Sequence, residues 1–261
     1  MRRVEGNVRS LVVLAIILLF LASVPLGVAQ ATPSAVIQND SSYIDGIGDF
    51  HVVGEVLNTG DVWLDFVKVT GTFRDVNKQI LDVTYTYASS NYLAPKTRGP
   101  FNVFEPDSVK SSKIANYTLT LNYKIANSTP GVSLSIQGAY TAMDPAGDLN
   151  VVGQVKNNGV QASNSTQVVA TYYDKSGKVI FVDFAYTSPE NIPPNQTSAF
   201  RVIGPKNPVS LRVTNYAVFA QSQQYISVPE FDEPLPVLMI ALVLIGILTR
   251  RTQLKVKGCR L

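Results

Sequence analysis

Apolar and polar side chains alternate over short stretches through most of the chain, which is the pattern of half-buried β-strands. Along Phe50–Asn58, Val52, Gly54 and Val56 fall on one face and Glu55 and Leu57 on the other, and the first face is expected to point inward. The next run sets Val67, Val69, Gly71 and Phe73 against Lys68, Thr70, Thr72 and Arg74. A turn follows at Asp75-Val76-Asn77, then a strand ending at Tyr87, a loop bearing Pro95, and strands beginning near Phe101 and Ile114. Asn58-Thr59-Gly60 reads as a turn because Asn and Gly tolerate positive φ. Residues 32–226 carry no amphipathic run of helical length.

The whole pattern returns 99 positions later. Gly48-Asp49-Phe50-His51-Val52-Val53-Gly54-Glu55-Val56 recurs as Gly147-Asp148-Leu149-Asn150-Val151-Val152-Gly153-Gln154-Val155, and Asn58-Thr59-Gly60 as Asn157-Asn158-Gly159. Paired without a gap, residues 34–123 and 133–222 share about 25 identities in about 90 pairs. Solenoid repeats run to about 20–50 residues, so a period this long implies that each copy carries its own core. Six or seven short strands per copy must cover an apolar face with a second sheet. The expectation is therefore an all-β protein with two tandem immunoglobulin-like β-sandwich domains, residues 32–125 and 133–226, joined by a linker at 126–132. The tryptophan and cysteine pair of antibody domains is absent, which keeps the topology only immunoglobulin-like.

Charge and composition change the picture at the two ends. Residues 11–29 are nearly unbroken apolar sequence behind Arg2, Arg3 and Arg9, so 1–31 reads as a secretory signal peptide helix cleaved after Ala29 or Ala31, with an uncleaved signal anchor as the alternative. Residues 227–234 read as an acidic stalk, 235–249 as a short transmembrane helix, and 250–261 as a basic cytoplasmic tail. The apolar run at 235–248 covers only about 21 Å at about 1.5 Å per residue, short for a permanent span. Arginines at both ends on the cytoplasmic side place residues 32–229 outside. The net charge of +3 resides in these ends, because residues 32–229 hold 14 Lys and Arg against 15 Asp and Glu. A faintly acidic body excludes nucleic acid as a partner. The single His51 and single Cys259 exclude His/Cys zinc sites, intramolecular disulfides and any triad without His51.

Two resemblances follow from these residues. Val152-Gly153-Gln154-Val155-Lys156-Asn157-Asn158-Gly159, followed by Thr171-Tyr172-Tyr173-Asp174-Lys175-Ser176-Gly177-Lys178, resembles the FxLYD domain family of prokaryotic extracytoplasmic proteins. Copy 1 is looser, with Gly71-Thr72-Phe73-Arg74-Asp75, and Ala170 and Gly71 stand where the family has its Phe. The resemblance covers residues 48–104 and 147–203 and implies a β-sandwich without implying a reaction. Pro229-Glu230-Phe231, a short apolar segment and Arg250-Arg251 resemble the PEF-type C-terminal sorting signals of archaeal surface proteins. That resemblance implies an archaeosortase-like processing enzyme that cuts near the motif and passes the protein to a lipid-type anchor. Asp232 stands where many such signals carry Gly, and the tail runs past the Arg pair, so ordinary membrane anchoring stays open.

Candidate chemistry is sparse. Asp45 with Asp49, and Asp144 with Asp148, precede matching strands; they read as turns with Asx caps, with calcium ligation as the alternative. His51, with Asn150 as its counterpart, reads as a lone surface histidine. Five sequons, at Asn39, Asn116, Asn127, Asn164 and Asn195, all lie in the outer segment and would mark exposed loops or edges if glycosylated. Copy 1 carries Trp63, Leu64 and Phe66 where copy 2 carries Ala162, Ser163 and Ser165. That apolar run reads as a contact patch for a glycan, peptide or surface subunit, or else as packing within the chain.

Together these observations point to a non-enzymatic, membrane-anchored surface protein of an archaeal envelope, acting as a structural or adhesion module without a cofactor. Its expected partners are the membrane, the processing enzyme, and a surface-layer protein or glycan. The alternative is a solute or glycan receptor subunit that presents ligand to a membrane partner.

Overall fold

The computed structural model describes residues 32–227 and 230–231. They form an all-β protein. The expected signal peptide, transmembrane helix and basic tail lie outside the described residues, as do Pro229, Arg250 and Arg251. Among the described residues no helix is long and apolar enough to cross a membrane.

The first half contains β1 (Ala35–Ile44), β2 (Phe50–Asn58), β3 (Leu64–Arg74), β4 (Ile80–Tyr87), β5 (Tyr92–Leu93), β6 (Arg98–Glu105), the single-turn helix α1 (Ser108–Ser111) and β7 (Asn116–Ile125). β1, β2 and β6 make one sheet, and β3, flanked by β4, β5 and β7, makes the other. Val52, Val56, Leu64, Val69, Phe73, Phe101 and Val103 fill the space between them. The second half contains β8 (Gly131–Val132), β9 (Leu134–Met143), β10 (Leu149–Asn157), β11 (Gln167–Tyr173), β12 (Val179–Tyr186), β13 (Thr197–Val202), β14 (Asn215–Gln221), β15 (Tyr225–Ile226) and β16 (Glu230–Phe231). Its sheets are β9-β10-β13 and β12-β11-β14-β15-β8, with β16 also paired to β14. Val151, Val155, Val168, Ala170, Tyr172, Phe200 and Val202 lie between them. No sheet mixes strands of residues 35–125 with strands of residues 131–231.

The 99-residue offset holds in backbone detail. β1, β2 and β4 recur with the same bounds as β9, β10 and β12. Among the described residues every positive φ falls in a pair at that offset: Asn39 and Gly138, Gly48 and Gly147, Phe66 and Ser165, Lys78 and Gly177, Lys96 and Asn195. The β1–β2 ladder slips between Gln38 and Ser41, and the β9–β10 ladder slips at the matching place, beside Val152. Gly54 and Gly153 face inward as the alternation requires, because a Cβ would sit 2.7 Å from the Phe101 ring and 2.9 Å from the Phe200 ring.

The turn after Asn58 forms without positive φ. Neither Asn58 nor Asn157 has positive φ; both are fully buried side-chain clips. Asn58 Nδ2 donates to the carbonyls of Val62 (2.8 Å) and Leu93 (3.0 Å), while its Oδ1 accepts from Gly60 N (3.1 Å). Asn157 repeats all three bonds with Gln161, Ile192 and Gly159. An aspartate would meet the two carbonyls with an acceptor, so the amide is required. The segments expected as linker and stalk also contribute strands: β8 pairs in parallel with β15, and Glu230-Phe231 continues the sheet against Ala217 and Val218 of β14.

Removing either clip strands two buried carbonyls. We expect Asn58→Ala and Asn157→Ala each to cost about 3 kcal/mol of stability, at about 1–3 kcal/mol per orphaned buried group. Denaturant midpoints of the single variants and the parent check this.

Candidate functional site

The face of β2 that carries Val53 and Glu55 turns away from its own core, yet both residues are buried. They are covered by the second half. Val53 joins Val169, Tyr173, Val179, Val182, Ala217 and Phe219 in a third apolar cluster, with Tyr43 at its margin. Each Val or Phe buried this way contributes about 1.5–3 kcal/mol, so the cluster favours docking of the halves. The described residues from Pro33 onward accordingly form one compact unit.

Glu55 lies inside this seam at 2% exposure. Tyr173 donates its hydroxyl to Glu55 Oε1 at 2.5 Å, Asn39 Nδ2 donates to Oε2 at 3.3 Å, and Arg98 Nη1 stands 3.9 Å from Oε2. Burial first, and the Glu55 charge second, push the Tyr173 phenol upward, which keeps it protonated as the donor. Further along, Gln221 accepts from Asn91 N (2.9 Å) and donates to Ser89 O (2.5 Å), and Ser41 donates to Val179 O.

The two copies differ where the seam runs. Val169, Tyr173 and Phe219 cover the first half, whereas their counterparts Thr70, Arg74 and Thr120 face outward on the uncovered sheet of copy 1. Glu55 is buried and its counterpart Gln154 is exposed. Docking thus accounts for the apolar gain in copy 2 and for the polar face left on copy 1.

The paired acids build capped turns. Asp45 Oδ1 accepts from the backbone N–H groups of Ile47, Gly48 and Asp49 at 2.9–3.0 Å, and its Oδ2 faces His51 Nε2 at 3.5 Å. Ligand atoms of Asp45, Asp49 and His51 come within 4.8 Å of one another. Both imidazole nitrogens are nevertheless engaged, since Nδ1 lies 3.0 Å from Asn102 Oδ1. His51 is not the surface residue expected: its side chain is 14% exposed and its ring stacks between Tyr43 (4.8 Å) and Phe104 (5.5 Å). In copy 2, Asp144 Oδ1 accepts from Ala146 N and Asp148 N, and its Oδ2 takes bonds from Asn150 and from Arg201 at 2.6 Å. His51 and Asn150 therefore do the same work, reaching back to the aspartate that caps the turn.

The expected patch of Trp63, Leu64 and Phe66 does not share one surface. Leu64 is fully buried in the first core, which corrects its assignment as a contact residue. Trp63 is half-buried and lines a narrow crevice at the seam with Tyr92, Phe219 and Ile226. Phe66 alone faces solvent, at 58% exposure. The cause is a β-bulge: β3 pairs Asp65 with Lys124 and Lys68 with Asn122, so an extra residue is accommodated and Phe66 takes φ 47°. A bulky residue in the left-handed region costs about 1–3 kcal/mol. Its ring forms one wall of a groove of about 560 Å³ at the seam, which Asp65, Tyr87, Asn91, Tyr92 and Gln223 also line. Sequence reasoning named Phe66 but not the groove; its signals were Phe66 and Tyr92 standing where copy 2 has Ser165 and Asn191.

Of the sequon residues, Asn116, Asn127 and Asn195 are exposed. Asn39 and Asn164 are half-buried, and Asn39 is committed to Glu55 within the seam, so it is not the exposed edge expected of an acceptor.

No family model and no curated protein matches the chain. Among solved structures the chain is similar to the exo-chitosanase of Amycolatopsis orientalis, with 9% identity and a TM-score of 0.28 over 75% of this chain and 26% of that one. It is also similar to red sea bream transglutaminase, with 11% identity and a TM-score of 0.23 over 77% of this chain and 31% of that one. The chain thus spans less than a third of either protein, and at these TM-scores the likeness adds nothing to the fold described above.

Two outcomes follow from the seam and the turns. Giving copy 2 the residues of copy 1, by Tyr173→Arg with Phe219→Thr, should undock the halves while each core stays folded; scattering should show a larger radius of gyration, with new protease cleavage in residues 126–130. Asp45 is held below the usual carboxylate range because backbone and His51 hydrogen bonds outweigh a burial contribution that acts upward. Asp144 is lowered chiefly by Asp148 N–H and Asn150, and Asp174 chiefly by the Ser176 side chain. Such groups stabilise the fold above their unfolded value of about 3.9, and that contribution is lost as pH falls through the lower folded values. Stability measured below about pH 4 should therefore fall with acid, and less steeply in Asp45→Asn and Asp144→Asn.

Proposed function

We propose that the protein is a non-enzymatic surface module, two immunoglobulin-like sandwiches docked into one body and held at the outer face of a membrane by its C-terminal segment. The observation that supports this most directly is the pairing of Glu230-Phe231 with β14. The sheet reaches to within four residues of the apolar run that starts at Leu235, so the body sits close to the membrane surface without a long stalk. The resemblance of Pro229-Glu230-Phe231, the apolar run and Arg250-Arg251 to a PEF-type signal supports removal of the tail by an archaeosortase-like enzyme. The FxLYD-like hairpins and the exposed sequon residues Asn116, Asn127 and Asn195 fit an extracytoplasmic body.

The second reading, a receptor subunit that presents a solute or glycan, is favoured by the groove between Phe66 and Gln223. Both readings share the same placement. Mass spectrometry of the mature protein from its native membrane tests that placement: we expect an N-terminus at or after residue 30, membrane association, and no peptide containing Lys255 or Cys259. Recovery of those peptides from the membrane fraction would favour plain anchoring, and recovery of the mature protein from the cytoplasm would overturn the proposal.

A further inference from the structure

We propose that the groove walled by Phe66, Tyr87 and Tyr92 binds a neutral oligosaccharide. The proposal rests on the reading of the body as an outward-facing binding module and adds the site and the ligand class.

The duplicated backbone supplies the argument, because the same bulge is built twice with different side chains. In copy 2 the left-handed position holds Ser165, whose N–H is tied at 2.9 Å to the side chain of Asn191. That small residue with its polar clip shows what the bulge requires for folding. In copy 1 the matching pair is Phe66 and Tyr92, so the clip is gone and two rings stand in its place. Phe66 is strained in backbone and 58% exposed, and its ring contacts within the fold are an edge contact with Tyr87 at 6.4 Å and Lys124 Nζ at 4.7 Å. A second cost falls on the adjacent residue. Asp65 also lines the groove, and its Oδ1 is buried with no hydrogen-bond partner among the described residues. A buried polar atom left unpaired costs stability and calls for a partner. An exposed ring at a left-handed position where copy 2 has serine, beside a buried unpaired oxygen of Asp65 that its counterpart Asn164 does not repeat, points to a ligand in this concave site.

The lining selects the class. A volume of about 560 Å³ is in the range of small-molecule sites and fits two or three sugar residues. Aromatic rings offer flat apolar faces to the C–H side of a pyranose, and the Asp65 carboxylate with the Asn91 and Gln223 amides offers acceptors and donors to its hydroxyls. An anionic ligand would meet the Asp65 carboxylate. The Phe66 ring already has a cation against it, Lys124 Nζ at 4.7 Å from its centre.

The test uses the full-length protein in detergent, titrated by calorimetry and saturation-transfer NMR with maltotriose, cellotriose, mannotriose and triacetylchitotriose. Sialyllactose and tetramethylammonium chloride serve as the charged probes. We expect at least one neutral trisaccharide to bind saturably and the charged probes not to bind. Phe66→Ser and Tyr92→Asn, the copy 2 residues, should each weaken binding at least about tenfold without lowering the unfolding midpoint. Should Phe66→Ser perturb folding, Tyr92→Asn and Asp65→Asn decide. Absence of saturable binding by every neutral probe, preference for either charged probe, or affinity unchanged in the folded variants would overturn the proposal. Such a result with mature protein still on the membrane would remove the groove and leave the surface placement intact. Saccharide binding by a cytoplasmic mature protein would do the reverse.

Discussion

The hydrogen bond from Tyr173 to the buried carboxylate of Glu55 sets how the two halves meet. A carboxylate removed from water is costly unless it is paired and hydrogen-bonded, and one that loses its partner leaves an uncompensated charge. Apolar contacts such as Val53 against Val169 and Phe219 favour close approach but tolerate sliding. Glu55 does not, because the Asn39 amide and the Arg98 guanidinium of its own half hold the carboxylate from one side, and the docked placement brings the Tyr173 hydroxyl to its Oε1. The register of docking then fixes what lies beside it, including the Gln221 contacts to Ser89 and Asn91 and the groove that Asn91 and Gln223 share.

A sheet has two faces, and a sandwich buries only one of them. Duplication of a sandwich therefore produces outer faces that are equivalent at first and become different when two of them are covered. Copy 2 shows the covered state on β11 and β14, where Val169, Tyr173 and Phe219 replace the Thr70, Arg74 and Thr120 of copy 1. Copy 1 shows it on β2, where Glu55 is buried and the neutral Gln154 of copy 2 remains in solvent. The direction of that last exchange runs against simple hydrophobicity. It is explained by the geometry Glu55 imposes, since Gln could accept from Tyr173 but would forgo the attraction of Arg98.

Strands and their period were legible in the residues because both signals are local. Alternation assigned Val52, Gly54, Val56, Val69 and Phe73 to the interior, and turn residues separated the runs. Three features were not legible for one shared reason, that each depends on residues distant in sequence. Asn58 was legible as a turn former, which its bond from Gly60 N bears out, but not as a clip on the carbonyls of Val62 and Leu93. His51 looked like a surface residue, and is enclosed by Tyr43 and Phe104. Trp63, Leu64 and Phe66 looked like one patch, but Leu64 enters the core, Trp63 lies at the seam, and the bulge between Asp65 and Lys68 turns Phe66 to solvent. A one-residue insertion in a strand shifts its side chains to the other face, and alternation alone carries no mark of where that happens.

The internal repeat does for this chain part of what a set of relatives would do, because it separates what the backbone requires from what one copy adds. Features held by both copies, such as the Asn58 and Asn157 clips and the capped turns at Asp45 and Asp144, belong to folding. Features held by one copy need another cause. The seam accounts for Tyr173, Phe219 and Glu55 by burying them. It does not account for Phe66 and Tyr92, which lie next to the seam, and Phe66 stays largely in solvent at a backbone position where a serine suffices in the other copy. With folding and docking both satisfied elsewhere, the exposed ring at that bulge is the residue of copy 1 that calls for a partner outside the chain.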